Sequence, residues 1–425
     1  MSSLIQWMLL RLALLLSSVG FFLSCWIIVP APTMQLLPLG VGVPELSPWL
    51  LVLNAIPLGI AMLQAIPLAL QGMHYSLLQR LVLGASLVGL FLSVLPLVQL
   101  PATEQRLAAA MVDELGKDYT AGISNEVLSK MRSHPFILAD AFRGITLSPV
   151  RYTSGIPFAA PFDYAPFDYA PFDYAPFDYA QGKPLSMDIY RPLKIGHYPA
   201  LVIIYGGGWQ SGTPQHHADF SRYIAAQGYT VFAIAYRHAP RYQFPAQLDD
   251  VRAALTFIQQ HATEYETDLN RIALLGRSAG GHLAMLAAYQ SDTLPIRAVI
   301  NYYGPFNLAE GYRKPPKPDP LNVRAVLEAF LGGSPDAVPE QYAKASPVSY
   351  VKRSLPPTLL IHGSRDHIVQ VDFARDMCQR LRAVGNTSVL LEIPWAEHAF
   401  DTIFPGISNQ VALYYTERFL AWALR

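Results

Sequence analysis

Residues 276–280 read Gly276-Arg277-Ser278-Ala279-Gly280, a Gly-x-Ser-x-Gly pentapeptide. A serine hydroxyl becomes a useful nucleophile when a sharp turn exposes it and a nearby base takes its proton. Flanking glycines let backbones approach closely at such a turn. The amide of Ala279 then opens a helix, where it can bind a developing oxyanion. The base needs an orienting carboxylate, and in one common chain order the acid and then the histidine follow the serine. Asp366, in Gly363-Ser364-Arg365-Asp366, and His398, in Glu397-His398-Ala399-Phe400, satisfy that order. Asp372 and Asp376 compete for the acid but fall on the next helical pattern, where solvation is the expected role. His282, His362 and His367 read as structural or surface histidines. Upstream, Tyr205-Gly206-Gly207-Gly208-Trp209 follows an apolar run. Three glycines there free backbone amides, and those of Gly207 and Gly208 can complement Ala279 as an oxyanion site.

These groups need elements to hold them. From about residue 185 the pattern alternates strand, loop and helix. Strands are expected at 200–205, 230–236, 271–275, 298–302, 357–362 and 389–393, with helices at 220–227, 246–261, 281–289 and 323–331. Such alternation predicts an α/β fold, a mostly parallel sheet with helices on both faces. Sites in these sheets lie at the carboxyl ends of strands. Ser278, Asp366 and His398 all fall just past an expected strand. Earlier runs at 145–152 and 185–190 read as two more strands.

On these motifs, residues 145–425 resemble the alpha/beta-hydrolase superfamily in its esterase/lipase group, near its hormone-sensitive-lipase-like and feruloyl-esterase-like branches. Tyr236-Arg237-His238-Ala239-Pro240 and Phe244-Pro245-Ala246-Gln247-Leu248-Asp249-Asp250 add to the likeness. The resemblance implies a triad of Ser278, Asp366 and His398, an oxyanion hole at Gly207, Gly208 and Ala279, and carboxylic ester hydrolysis without a cofactor or metal. One position departs from the family pattern: Tyr205 stands where histidine usually precedes the glycines. It is expected either to support the oxyanion loop through its hydroxyl or simply to pack on the core. The Asp249–Asp250 pair reads as structural. A proline-rich insert, Lys314-Pro315-Pro316-Lys317-Pro318, reads as part of a lid or as a passive surface loop.

Nothing in the resemblance covers residues 1–100. They carry three charges, Arg11, Glu45 and Arg80. Uncharged apolar runs at 12–29, 48–70 and 81–98 are long enough to predict about three membrane spans; a cleaved signal peptide followed by two spans is the alternative. Arg11 and Arg80 place the N-terminus and the second loop inside, which puts the catalytic domain on the extracytoplasmic side. Residues 101–144 read as a helical linker, with Thr103 capping a helix over 103–115 whose Leu107, Met111 and Leu115 share a face. Residues 161–180 are four copies of Pro-Phe-Asp-Tyr-Ala, expected as an exposed expansion of a hairpin tip.

Composition limits the alternatives. The 425 residues hold 31 basic and 31 acidic side chains, so the net charge is zero and no basic excess favours nucleic acid. Two cysteines, Cys25 and Cys378, cannot build a disulfide framework or a cysteine zinc site. The expected function is a membrane-anchored serine hydrolase acting on a small-molecule or lipid-like ester. The same parts serve amide, formamide or thioester cleavage, and a non-catalytic membrane scaffold with this fold is the competing class.

Overall fold

The computed structural model describes residues 3–70, 76–159, 184–291 and 294–425. The expected hairpin expansion at 161–180 lies outside the described residues. Four helices lead the chain: α1 (Ser3–Cys25), α2 (Leu37–Glu45), α3 (Ser47–Leu70) and α4 (Leu77–Leu115). Three of them, α1, α3 and α4, are long and apolar enough to cross a membrane. The first ends earlier than the apolar run, because residues 26–29 wind into turns closed by Val29 N–H on the Cys25 carbonyl at 2.9 Å.

The three long helices share a polar centre. Asn54 of α3 donates to Ser24 Oγ of α1 at 3.0 Å and to Ser93 Oγ of α4 at 3.2 Å. Its carboxamide fits because Gly20 and Gly89 face it. A Cβ at either position would lie 2.4 or 2.1 Å from Asn54 Oδ1. Small residues opposite a polar one are a common way for apolar helices to associate when burial from water supplies no drive.

The third run and the helix expected at 103–115 form one element, the 39-residue α4. Pro96 and Pro101 lie inside it, each removing one backbone donor. The helix continues because its apolar stripe does: Leu100, Leu107 and Met111 are buried in the core of the following domain. Thr103 is therefore no cap. Its hydroxyl donates back to the Gln99 carbonyl at 2.8 Å, the usual option for a threonine in mid-helix.

After α5 (Asn125–Lys130) and α6 (Leu138–Arg143) come the strands β1 (Arg151–Pro157), β2 (Ser186–Arg191), β3 (Tyr198–Ile204) and, past α7 (Ala218–Ala226), β4 (Thr230–Ile234). Then follow α8 (Ala246–Gln260), β5 (Thr267–Arg277), α9 (Ala279–Tyr289) and β6 (Ile296–Tyr302). Helices α10 (Leu308–Arg313), α11 (Val323–Leu331) and α12 (Pro339–Ala345) fill the insert. The chain closes with β7 (Thr358–Gly363), α13 (Val371–Ala383), β8 (Ser388–Ile393) and α14 (Ile407–Ala423). The expected strand at 145–152 starts only at Arg151, since Pro149 has no N–H for a ladder.

Among the described residues, eight strands form one sheet in the order β1-β2-β4-β3-β5-β6-β7-β8. Pairs β1/β2 and β2/β4 are antiparallel, and the rest are parallel. Alternate residues feed two cores. Val202, Phe232 and Leu274 pack with α8, α9 and α13, while Leu201, Val231 and Ala273 pack with α7, α14 and the outer half of α4.

The N-terminal helical region and the sheet domain also meet through Glu45. Its carboxylate accepts from Ser408 N at 2.7 Å and Ser408 Oγ at 2.6 Å, at the start of α14. Burial pushes its pKa up to about 8; the Ser408 bonds oppose this and nearby Asp401 adds to it. An acid whose pKa is raised on folding contributes stability below its unfolded value, and that contribution is lost as pH rises toward the folded value. Between about pH 5 and about pH 8 the melting temperature should therefore fall more in the parent protein than in Glu45→Gln, which keeps the shape without the charge. Equal slopes for the two proteins, measured by thermal melts in one detergent, would rule this out.

Candidate active site

Strand β5 delivers Ser278 into a tight turn before α9. The serine has φ 51° and ψ −121°, a strained conformation for a residue with a side chain. The turn closes only because its neighbours lack Cβ atoms. One at Gly276 would sit 2.0 Å from the Gly280 carbonyl oxygen, and one at Gly280 would sit 2.1 Å from that of Ile204.

Three predicted side chains converge at the carboxyl edge of the sheet. Ser278 Oγ lies 2.9 Å from His398 Nε2, and His398 Nδ1 lies 2.8 Å from Asp366 Oδ2. Asp366 is anchored by its own loop, its other oxygen accepting from the amides of Ile368 at 2.8 Å and Val369 at 2.7 Å. Burial works against the carboxylate charge. The facing His398 and His362 outweigh that and hold the pKa well below the usual carboxylate range. His362, expected to be structural, closes the acid loop by bonding the Val369 carbonyl at 2.7 Å, with Asp366 Oδ2 at 3.2 Å. Asp372 and Asp376 stay on α13, paired with Arg375 and Arg380. His282 is buried under the glycine loop, taking a bond from Trp209 Nε1 at 3.2 Å, and burial lowers its pKa to about 4. Asp250 pairs with Arg237, the structural role expected of it.

Gly208 and Ala279 reach the wall of the cavity into which Ser278 faces. Gly207 lies one residue back, and its carbonyl folds onto the amides of Gln210 and Ser211. The amide of Ala279 is in the first turn of α9, where no preceding helical carbonyl can take it. Tyr205 is buried and stacks on Tyr236 at 4.4 Å. Its hydroxyl lies 3.0 Å from His238 Nε2 and 3.3 Å from the Tyr236 carbonyl. The same segment holds the far end of the loop, Ala239 N–H donating to the Trp209 carbonyl at 2.9 Å. The glycine loop is thus pinned at both ends to residues 236–239, and packing and hydroxyl bonding act together.

The cavity, about 610 Å³ with its open mouth included, is mainly apolar. The insert supplies much of its wall, including Pro305, Leu308, Pro316, Leu321 and Val326, and the acid loop supplies Ile368 and Val369. The proline-rich segment therefore belongs to the cover of the site.

Sequence reading missed the charges beneath the serine. Arg277 is 1% exposed, its guanidinium lying over the Phe220 ring at 4.4 Å and paired with Asp401. Tyr303 also donates to Asp401, and its ring packs on His398 at 4.7 Å. Burial opposes the charge on Asp401, but Arg277 prevails and keeps its pKa below the usual carboxylate value. The residue before Ser278 is thus tied to one three positions past His398. A second clip joins the acid and histidine loops: Glu397 accepts from His367 N at 2.6 Å and His398 N at 2.9 Å and pairs with the His367 ring. The available signal was an arginine inside the motif, which in a buried turn needs an acid; the sequence did not say which.

Asp401→Ala leaves Arg277 charged and buried, and should cost about 3–5 kcal/mol in chemical denaturation. Replacing both, Arg277→Met with Asp401→Leu, should cost less than the single change. A single variant as stable as the parent would dismiss the pair as a structural tie. Tyr205→Phe removes the hydroxyl but keeps the stacking. Turnover should fall by less than the roughly 10²–10³ expected for losing an oxyanion donor, with the Michaelis constant little changed. Unaltered kinetics on a p-nitrophenyl ester would leave packing as its whole role.

Comparison with known proteins agrees with this fold. A family model described as BD-FAE matches residues 187–381. Esterase LipC of Mycobacterium tuberculosis is 36% identical over 238 residues, covering 51% of this chain and 57% of its own. The probable carboxylic ester hydrolase LipM of the same organism is 32% identical over 257 residues, covering 56% and 58%. The chain thus spans a little over half the length of these relatives. The hyperthermophilic esterase of the archaeon Pyrobaculum calidifontis superposes with a TM-score of 0.54 at 20% identity, over 76% of this chain and 97% of that one, a likeness of fold. With its strand–serine–helix turn and its mostly parallel sheet, the chain has the alpha/beta-hydrolase fold, and its relatives make it similar to the esterase/lipase group of that superfamily.

Proposed function

We propose that the protein is a membrane-anchored serine hydrolase that cleaves carboxylic esters through an acyl-enzyme on Ser278. The observation that carries this is the hydrogen-bonded chain from Ser278 through His398 to Asp366, set against an apolar cavity. Ser278 Oγ attacks the ester carbonyl while His398 Nε2 takes its proton. Asp366 holds the other ring nitrogen and stabilises the imidazolium. The amides of Gly208 and Ala279, with Gly207 behind them, face the tetrahedral oxyanion. His398 returns the proton to the alkoxide as the acyl carbon–oxygen bond breaks and the alcohol leaves. Water then repeats the sequence: His398 takes its proton, the new carbon–oxygen bond forms, and Ser278 leaves with that proton restored, releasing the acid. The names of the similar proteins support an ester as the substrate. The helices α1, α3 and α4 support the membrane anchor.

The reading is tested at the nucleophile. The parent protein should be labelled by a fluorophosphonate probe, and Ser278→Ala should take no label. Turnover of a p-nitrophenyl ester should fall by about 10⁶, as is typical when the nucleophile of a triad is removed. A parent protein that resists the probe and hydrolyses no ester would instead be a binding or scaffold protein.

A further inference from the structure

The way α4 joins the two parts of the chain orients the catalytic edge. Beyond its apolar half, the helix runs down the outer side of β8. Near its end, Glu114 accepts from Ser388 N at 2.8 Å, at the first residue of β8. Glu104, ten positions earlier, gives its carbonyl to Tyr415 of α14 at 3.0 Å. Helix α14 starts beside the far end of β8, where Ser408 Oγ takes a bond from Trp395 Nε1 at 2.9 Å. The carboxyl end of β8 therefore points back up α4 toward its apolar half.

The spacing gives a distance. The six residues Ser388–Ile393 extend about 17 Å at a strand rise of roughly 3.4 Å. At 1.5 Å per residue that equals about eleven residues of helix, which brings Ile393 level with about residue 103 of α4. The apolar run ends at residue 98, before Gln99, so about five residues, or roughly 8 Å, separate it from the sheet edge. A headgroup layer is of this thickness, about 5–8 Å on each side of the hydrocarbon.

Two contacts independent of α4 place the same edge there. Arg365, the neighbour of Asp366, donates to the Ile28 carbonyl at 2.5 Å, three residues past the end of α1. A Cβ on Gly42, between the first two long helices, would meet Ile403 at 3.3 Å, two residues past Asp401. The acid loop that hooks onto Ile28 continues directly into Ile368 and Val369 of the cavity wall. Ile28 and Val29 are themselves exposed apolar side chains.

We propose that the active-site edge lies against the bilayer surface and that the substrates are amphiphilic esters resident in the membrane, whose apolar chains pass from the lipid into the cavity lined by Leu308, Leu321, Val326 and Ile368. This rests on the hydrolase and membrane-anchor readings above. A lipid-borne ester reaches Ser278 without first crossing water, so the site samples its concentration in the surface rather than in bulk.

Two experiments on the full chain, reconstituted in dialkyl-ether phosphatidylcholine vesicles, test this. In a Cys25→Ser background, an environment-sensitive dye at Ser364→Cys should be quenched by lipids spin-labelled at the headgroup, and the same dye at Asn270→Cys, at the opposite end of the sheet, should not. Equal quenching, or the reverse order, overturns the orientation. The second experiment compares p-nitrophenyl palmitate held in the vesicles with soluble p-nitrophenyl butyrate. Diluting the palmitate tenfold with ether lipid, at constant total ester, should slow its hydrolysis about tenfold and leave butyrate unchanged, because the effective concentration is that of the surface. Butyrate turnover with palmitate untouched, or palmitate turnover indifferent to dilution, overturns the substrate class. A protein that hydrolyses neither ester and resists the fluorophosphonate probe fails the hydrolase reading instead, and the quenching result then decides the orientation alone.

Discussion

The turn at Ser278 is the constraint around which the rest is arranged. A residue with a side chain is held at positive φ between a buried strand and a buried helix, and the strain is tolerated because the surroundings leave no other path. Backbone of β5 meets α9 at Gly276, and backbone of α9 meets the end of β3 at Gly280, both at distances no Cβ would permit. That contact brings the glycine loop after β3 beside the serine and puts the first amide of α9 on the same cavity as the hydroxyl. The proposed nucleophile and oxyanion donor thus come from one local geometry.

The proposed base and acid, His398 and Asp366, arrive from far along the chain, and their alignment depends on buried charge. In a low-dielectric interior an ion pair or carboxylate–amide bond is directional and costly to break. Arg277 and Asp401 join the nucleophile turn to the segment after His398, with Tyr303 touching both Asp401 and the imidazole. Glu397 joins the acid and histidine loops through His367 and two backbone amides. Asp366 accepts amides of its own loop before it meets His398. Each loop is therefore held by bonds that leave the reacting atoms free to exchange a proton.

The N-terminal apolar helices are joined to the sheet domain at several points. Helix α4 belongs to both parts, with its later half buried in the core that also holds α14. Glu45 meets the start of α14 and Arg365 meets the turn after α1. The contacts of Glu45 and Arg365 lie near the carboxyl edge of the sheet, the edge that bears the candidate site. A flexible linker would leave the catalytic face free to turn; a continuous helix packed on an edge strand does not.

The sequence by itself determined the alternation of strands and helices, because burial on two faces forces apolar runs separated by amphipathic helices. It also located Ser278, Asp366 and His398, since a strand end followed by Gly-x-Ser-x-Gly, Asp or His is readable without knowing distances. The apolar helices were legible from hydropathy alone. Tertiary structure decided what depends on contact between remote residues. Whether Thr103 caps a helix turned on packing of Leu100 and Leu107 against a domain folded later in the chain. Which acid answers Arg277, and where the Tyr205 hydroxyl goes, turned on loops brought together by the sheet order. Propensity and spacing act over a few residues, whereas a buried charge or hydroxyl selects its partner across the whole fold; that is why Asp401, Glu397 and Glu45 carried no legible signal.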